Sequence, residues 1–151
     1  MTTALFAFLH HVAAFALVAS LAVEFVLVRG GLTIENANRV RFADIVFGIA
    51  AGVILVVGLA RAYLFEKGAA YYHHSAPFYA KMALFLVVGL VSIYPTMEFI
   101  AWGKATRAGR VPEVSAAKMK LLRRIIHAEL AGVVFILLCA ALMARGIGFF
   151  G

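Results

Sequence analysis

Nine side chains in this 151-residue chain carry ionisable groups inside otherwise apolar stretches or at their edges. Four are carboxylates. Glu24, Asp44, Glu98 and Glu129 occur one apiece in stretches near 4–28, 42–62, 80–101 and 124–145. His127 lies two residues before the last of them. His10, His11, Arg61 and Lys81 make a second set. An ionised group in a membrane-spanning helix costs about 2.5–3.5 kcal/mol on insertion scales, so such groups turn to the protein interior and find partners. Glu24 and Glu98 sit near the C-terminal ends of their stretches, Asp44 and Glu129 near the N-terminal ends of theirs. An up-down-up-down arrangement brings those four ends together. The expectation is therefore a buried inner polar layer of Glu24, Asp44, Glu98, Glu129 and His127.

Three chemistries suit that layer. Arg29, Arg41, Arg123 and Arg124 are near enough in sequence to pair with the acids and fix helix register. Carboxylates from facing helices with a histidine also suit a metal site. The Glu-x-x-His spacing of carboxylate-bridged metal bundles is absent, and His127 and Glu129 lie about 200° apart on a helix. Proton acceptance is the third.

The outer set comprises His10, His11, Arg61 and Lys81, with Glu66, His73 and His74 in the loop above. A histidine in an apolar helix is either hydrogen-bonded in the core or a ligand, and neutral imidazole binds haem iron from a bundle interior. His11, about 100° further round, is expected at lipid headgroups or a neighbouring subunit. His127 lies toward the opposite face and cannot share a haem with His10.

The elements that position these groups follow from hydropathy. Hydrophobic residues make up 65% and charged residues 14% of the chain, against about 45–50% and 25% in soluble domains. Each apolar stretch is near the roughly 20 residues that cross a bilayer core. The first lacks the basic flank of a signal peptide and is expected to be retained. The net charge of +7 is unevenly spread. Arg29, Arg39, Arg41 and seven basic residues from Lys104 to Arg124 fall on one side, and Arg61, Lys67, Lys81 and Arg145 on the other. The positive-inside rule puts the larger group in the cytoplasm and both termini outside. The basic charge then reflects topology and anionic lipid, and argues against nucleic acid as a partner. Cys139, the single cysteine, is expected to pack inside the fourth helix.

The expected fold is all-α: one integral membrane four-helix bundle over 1–151, up-down-up-down. Its helices run about 4–28, 42–62, 80–101 and 112–145, the last extended into the cytoplasm from Pro112. Arg29-Gly30-Gly31 is expected to end the first helix with glycine as cap. Residues 33–41 form a short polar loop. Gly48 and Gly52 form a small-xxx-small pair that admits a close neighbour. Pro95 bends the third helix, with Ser92 and Thr96 placed to satisfy freed backbone. The outer loop, 63–77, holds Tyr63, Phe65, Tyr71 and Tyr72 beside its histidines. It reads as an aromatic belt or as a lid over the outer set.

Several motifs together resemble a known family. They are Leu9-His10, Asp44 with Gly48, Arg61-x5-Lys67-Gly68-x2-Tyr71-Tyr72, Pro77-x3-Lys81-Met82-x-Leu84-Phe85, Ile93-Tyr94-Pro95 and Met143-Ala144-Arg145-Gly146. They look like the small bacterial membrane proteins of domain of unknown function 2214, across nearly the whole chain. That resemblance implies a bacterial cytoplasmic (inner) membrane location and brings no established activity. A more distant resemblance is to HemJ-type protoporphyrinogen oxidases and CopD-like membrane proteins. Its matching positions are His10, Lys81-Met82, and Arg123-Arg124 with Glu129. The HemJ pattern flanks that acid with asparagine and proline, where this chain has Ala128 and Leu130, and the second helix lacks an expected proline. What the resemblance implies is b-type haem near His10, with Lys81 close by. The functional expectation is accordingly a haem-binding or redox membrane protein. Its alternatives are a non-enzymatic accessory subunit that meets a second copy or another membrane protein, and an oligomeric proton, ion or metal-binding protein.

Overall fold

The structure, a computed structural model, describes residues 1–65 and 69–150. Glu66, Lys67 and Gly68, named above, lie outside the described residues. Four long helices dominate: α1 (Thr2–Leu27), α2 (Ile34–Ala60), α4 (Ala76–Arg107) and α5 (Ala116–Ala144). Between α2 and α4 come a π-helical turn, Arg61–Phe65, and the short α3 (Ala69–His73). No strand occurs among the described residues beyond an isolated antiparallel bridge between Ser75 and Phe149.

All four long helices are long and apolar enough to cross a membrane. At 26 to 32 residues they measure about 39–48 Å, more than the roughly 30 Å hydrocarbon core. That length explains the corrected boundaries. Hydropathy marks only the part of a helix in acyl chains, whereas polar end turns continue into the headgroups. Thus residues 34–41 form the first two turns of α2 rather than a loop. Thr33 caps them, its Oγ1 accepting from the Asn36 N–H at 3.1 Å, and Asn36 Nδ2 donates to Gly31 O at 2.9 Å. Glu35 and Arg39 pair at 2.6 Å one turn apart. At the other end of the bundle α4 starts at Ala76 behind the N-cap Ser75, with Pro77 in its first turn.

Two caps also differ from expectation. α1 ends at Val28 in right-handed conformation, and neither Gly30 nor Gly31 has positive φ. α5 does not start at Pro112, which is buried in the connection. It starts at Ala116, where Ser115 Oγ accepts from the Lys118 N–H at 3.3 Å. The serine offers an oxygen to an end-turn donor, which proline cannot do. Gly109 and Gly146, at φ of 68° and 70°, close α4 and α5. The next residue's N–H reaches back to Ala105 O and Leu142 O respectively, the paired bonding of a Schellman end.

One buried stripe runs down each helix at three- and four-residue spacing. On α1 it is Ala13, Leu17, Leu21 and Glu24; on α5 it is Leu122, Ile126, Glu129 and Val133. These meet Val40 and Phe47 of α2 and Phe99 and Trp102 of α4 in a single core. Large apolar residues such as Phe15, Phe42, Val56 and Val134 are more than 60% exposed. Such a surface is stable in lipid and not in water.

Close helix approach occurs at glycines other than the expected pair. A Cβ on Gly132 would lie 2.6 Å from Val88 Cγ2, and one on Gly103 would meet the Arg41 guanidinium at 2.5 Å. A Cβ on Gly48 or Gly52 meets nothing within 4 Å among the described residues. Their face points away from the core. Gly132→Leu should therefore destabilise the protein by roughly 1–3 kcal/mol, as overpacking does, and Gly52→Leu by much less. Thermal unfolding in detergent checks this; equal losses would contradict the packing.

Candidate functional site

The buried stripes decide which ionisable groups enter the interior. Glu24, Asp44 and Glu129 lie on the stripes of α1, α2 and α5 and are 2%, 8% and 2% exposed. Glu24 is within electrostatic reach of Asp44 and Glu129, and Glu129 of Asp44. α4 contributes a hydroxyl: Thr96 Oγ1 donates to Asp44 Oδ1 at 2.7 Å. One oxygen each of Glu24 and Glu129 is buried without a hydrogen-bond partner among the described residues.

Glu98 and His127 do not join this trio. Each is one residue off its helix's buried stripe, Glu98 beside Phe99 and His127 beside Ile126. That displacement turns a side chain by about 100°. Glu98 pairs with Lys118 Nζ at 2.9 Å on a partly exposed surface. His127 is exposed and faces the Phe25 ring, with centroids 5.9 Å apart. Depth and spacing alone placed all five together; the register of the apolar stripe separates them.

The arginines considered as partners for the acids make other contacts. Arg29 lies over the Phe25 ring at 3.9 Å. Arg41 packs on Gly103 and donates to Asn38 Oδ1 at 3.5 Å. Arg123 Nε donates to Val28 O at 2.8 Å, holding the start of α5 against the end of α1. Arg124 is exposed. Among the described residues no three His, Cys, Asp or Glu side chains are placed to hold a metal ion. Ser92 Oγ donates to Gly89 O at 2.8 Å. Thr96 turns to Asp44, so neither hydroxyl serves the Val91 carbonyl.

The outer set has different surroundings. His10, His11, Arg61 and Lys81 all line a cavity of about 710 Å³ at the other end of the bundle. All four long helices contribute to its wall, with Tyr71 and Tyr72 from α3. Gly58 leaves space for an imidazole: a Cβ there would lie 3.2 Å from His10 Cε1. Arg61 is the first residue of the π-helical turn, a local widening of helix that often marks functional positions. His11 is exposed, and its Nδ1 is 2.6 Å from Ala7 O. Met82, Phe85 and Leu59 make the apolar part of the wall. Tyr72, Phe78 and Ala62 form a small buried cluster beside it, with Tyr71, Met82 and Met143 packed around.

Tyr71 belongs to the loop expected as an aromatic belt or a lid, whereas the place of Gly58 beside His10 and the course of residues 146–150 were not read from sequence. Tyr71 closes one side, its hydroxyl donating to Met143 O at 3.4 Å. Gly58 makes room for the His10 ring. Residues 146–150 turn back to meet α3 and the start of α4. Only the two glycines at φ of 70° and 80° signal that reversal.

A family model described as Predicted membrane protein (DUF2214) matches residues 2–148. The chain belongs to that family. No curated protein and no solved structure matches it. Membership agrees with the four membrane-capable helices, and the family's description names no activity. The likeness to HemJ-type proteins rests on the residues quoted for it alone.

The two polar contacts in this DUF2214 chain differ in what their loss exposes. Thr96→Val strips a buried Asp44 of its donor and should cost about 1–3 kcal/mol, as for other buried groups left unsatisfied. Lys118→Ala breaks an ion pair whose lysine side chain is 43% exposed and should cost under about 1 kcal/mol. Unfolding of the two variants in the same detergent compares them directly.

Proposed function

We propose that this membrane protein binds an amphipathic, anionic, ring-shaped cofactor, b-type haem, in the cavity at the outer end of its bundle. The observation that carries the reading is one cavity wall shared by an imidazole, His10, and two cations, Arg61 and Lys81, above apolar side chains. At about 710 Å³ the cavity falls within the roughly 300–1,000 Å³ of small-ligand sites. Its chemistry suits the group: a nitrogen donor for iron, positive charge for propionates and apolar walls for the macrocycle. His10 would hold the iron through its imidazole. Arg61 and Lys81 would neutralise the acid groups, and His11 would be an additional polar contact. Tyr71 and Tyr72 would limit water at the ring. Bound haem would supply one-electron chemistry. This chain's residues bind it, orient it and set its exposure.

The setting belongs to the same proposal. The bilayer is the bacterial inner membrane, the spans alternate in direction, and the end rich in arginine and lysine faces the cytoplasm. Both termini and the cavity are then on the outer side.

A second reading has its own observation. Gly48 and Gly52 present an unpacked small-residue face, which suits a helix from a second copy or another membrane protein. In that reading the protein is an accessory subunit and both polar regions are structural.

Protein purified in detergent with haem supplied should show a Soret band. His10→Ala should abolish it, and Asp44→Asn, at the other end, should leave it unchanged. A protein that stays colourless and takes up no haemin, yet purifies with a membrane partner, would replace the haem reading with the second.

A further inference from the structure

Residues 146–150 do not line the outer cavity, yet they hold the segment that does. After the close of α5 the chain turns back along 74–76. Phe150 N–H donates to His74 O at 2.9 Å, and Ala76 N–H donates to Gly148 O at 3.0 Å. The Phe149 ring stacks on Tyr71 at 5.1 Å and 19°. Tyr71 is a cavity wall residue whose hydroxyl also reaches Met143 O. The tail, α3 and the cavity wall are thus connected in series.

The attachment depends on backbone geometry that few residues allow. Gly148 has φ of 80°, and a Cβ there would lie 2.8 Å from Pro77 Cδ. A side chain at 148 meets both a left-handed backbone and a rigid ring. The apolar grip is light by contrast. Ile147, Phe149 and Phe150 are 56%, 43% and 60% exposed. Backbone hydrogen bonds at 74 and 76 and ring contacts of Phe149 and Phe150 with Tyr71 and His74 hold the segment at the surface, and such exposed terminal turns belong to the low-stability end of a structure, where local opening precedes global unfolding.

We infer that residues 146–150 are a detachable strap that regulates access to the outer cavity. Docked, the strap holds Tyr71 and Tyr72 against the end of α5 and narrows the cavity. Released, it frees α3 to move outward and admits a ligand the size of a porphyrin. This rests on the cavity being a binding site. The opening itself can be measured without any ligand.

The test uses full-length protein in nanodiscs with Cys139→Ala, so that introduced thiols are the only ones. Leu59→Cys places a thiol in the cavity wall, and an impermeant maleimide reports its accessibility by peptide mass. Gly148→Val should speed labelling at position 59 roughly tenfold, a shift of the size a strained left-handed residue produces. Adding the His74→Cys/Phe150→Cys pair, whose backbones are hydrogen-bonded and which leaves the Phe149–Tyr71 stack in place, and oxidising it should slow labelling below that of the untied protein, with reduction restoring the rate. Circular dichroism confirms that Gly148→Val keeps its helices; should it unfold, the oxidised and reduced forms of the cysteine pair still decide. Labelling insensitive to tying the strap overturns the inference. Haemin uptake by the same proteins separates the two ideas. Strap-dependent labelling with no uptake in any variant rejects haem and keeps the strap. Haemin uptake and labelling that both ignore the strap reject the strap and keep haem.

Discussion

Acyl chains offer no hydrogen-bond partner, and the polar groups within the four long helices are placed by that constraint. Backbone groups are satisfied within the helices, as any spanning segment requires. The apolar exterior gives no hold to a carboxylate, so Glu24, Asp44 and Glu129 lie on the stripes that face other helices. Helix ends escape the constraint. There the arginines spread over ring faces, a carbonyl and an amide, and Glu98 finds Lys118 across a partly exposed surface.

The two ends of the bundle meet this constraint in opposite ways. Toward one end, large core side chains, Leu21, Phe99, Trp102, Leu122 and Ile126, surround the carboxylates and fill the interior. Toward the other, Gly58 and the widened turn at Arg61 withdraw side-chain volume, and a cavity opens among four helices. Packed acids favour a fixed register, whereas an amphipathic cavity with cations on its wall favours a ligand. A ligand is accordingly better suited to the His10 end than to the carboxylates, although the acids are the more conspicuous residues in the sequence.

Glycine has three separate roles. Gly103 and Gly132 let neighbouring side chains reach the helix surface, Gly58 admits an imidazole, and Gly109, Gly146 and Gly148 turn the chain where a Cβ would be strained. The Gly48 and Gly52 pair, the most recognisable motif by spacing, has none of these roles among the described residues. A small residue permits close approach without dictating which neighbour approaches, and spacing cannot distinguish an internal face from an external one.

Hydropathy by itself determined four membrane-capable helices and the all-helical class, because the cost of polar atoms in lipid acts locally along the chain. Membership of the family was likewise legible in one dimension. Rotation about each helix axis was not. Glu98 and His127 share the depth of the buried trio and differ from it by one position, about 100°, and only packing shows which side of a helix the core covers. α2 and α4 start eight and four residues before their apolar stretches because capped polar turns extend beyond them, whereas α5 starts four residues after Pro112, at the Ser115 cap. The tail's return to Tyr71 lies wholly outside local signals, since it joins segments more than 70 residues apart through backbone hydrogen bonds that any residue but proline can make. Helical class follows from composition; facing, contact and cavity follow from how the helices pack.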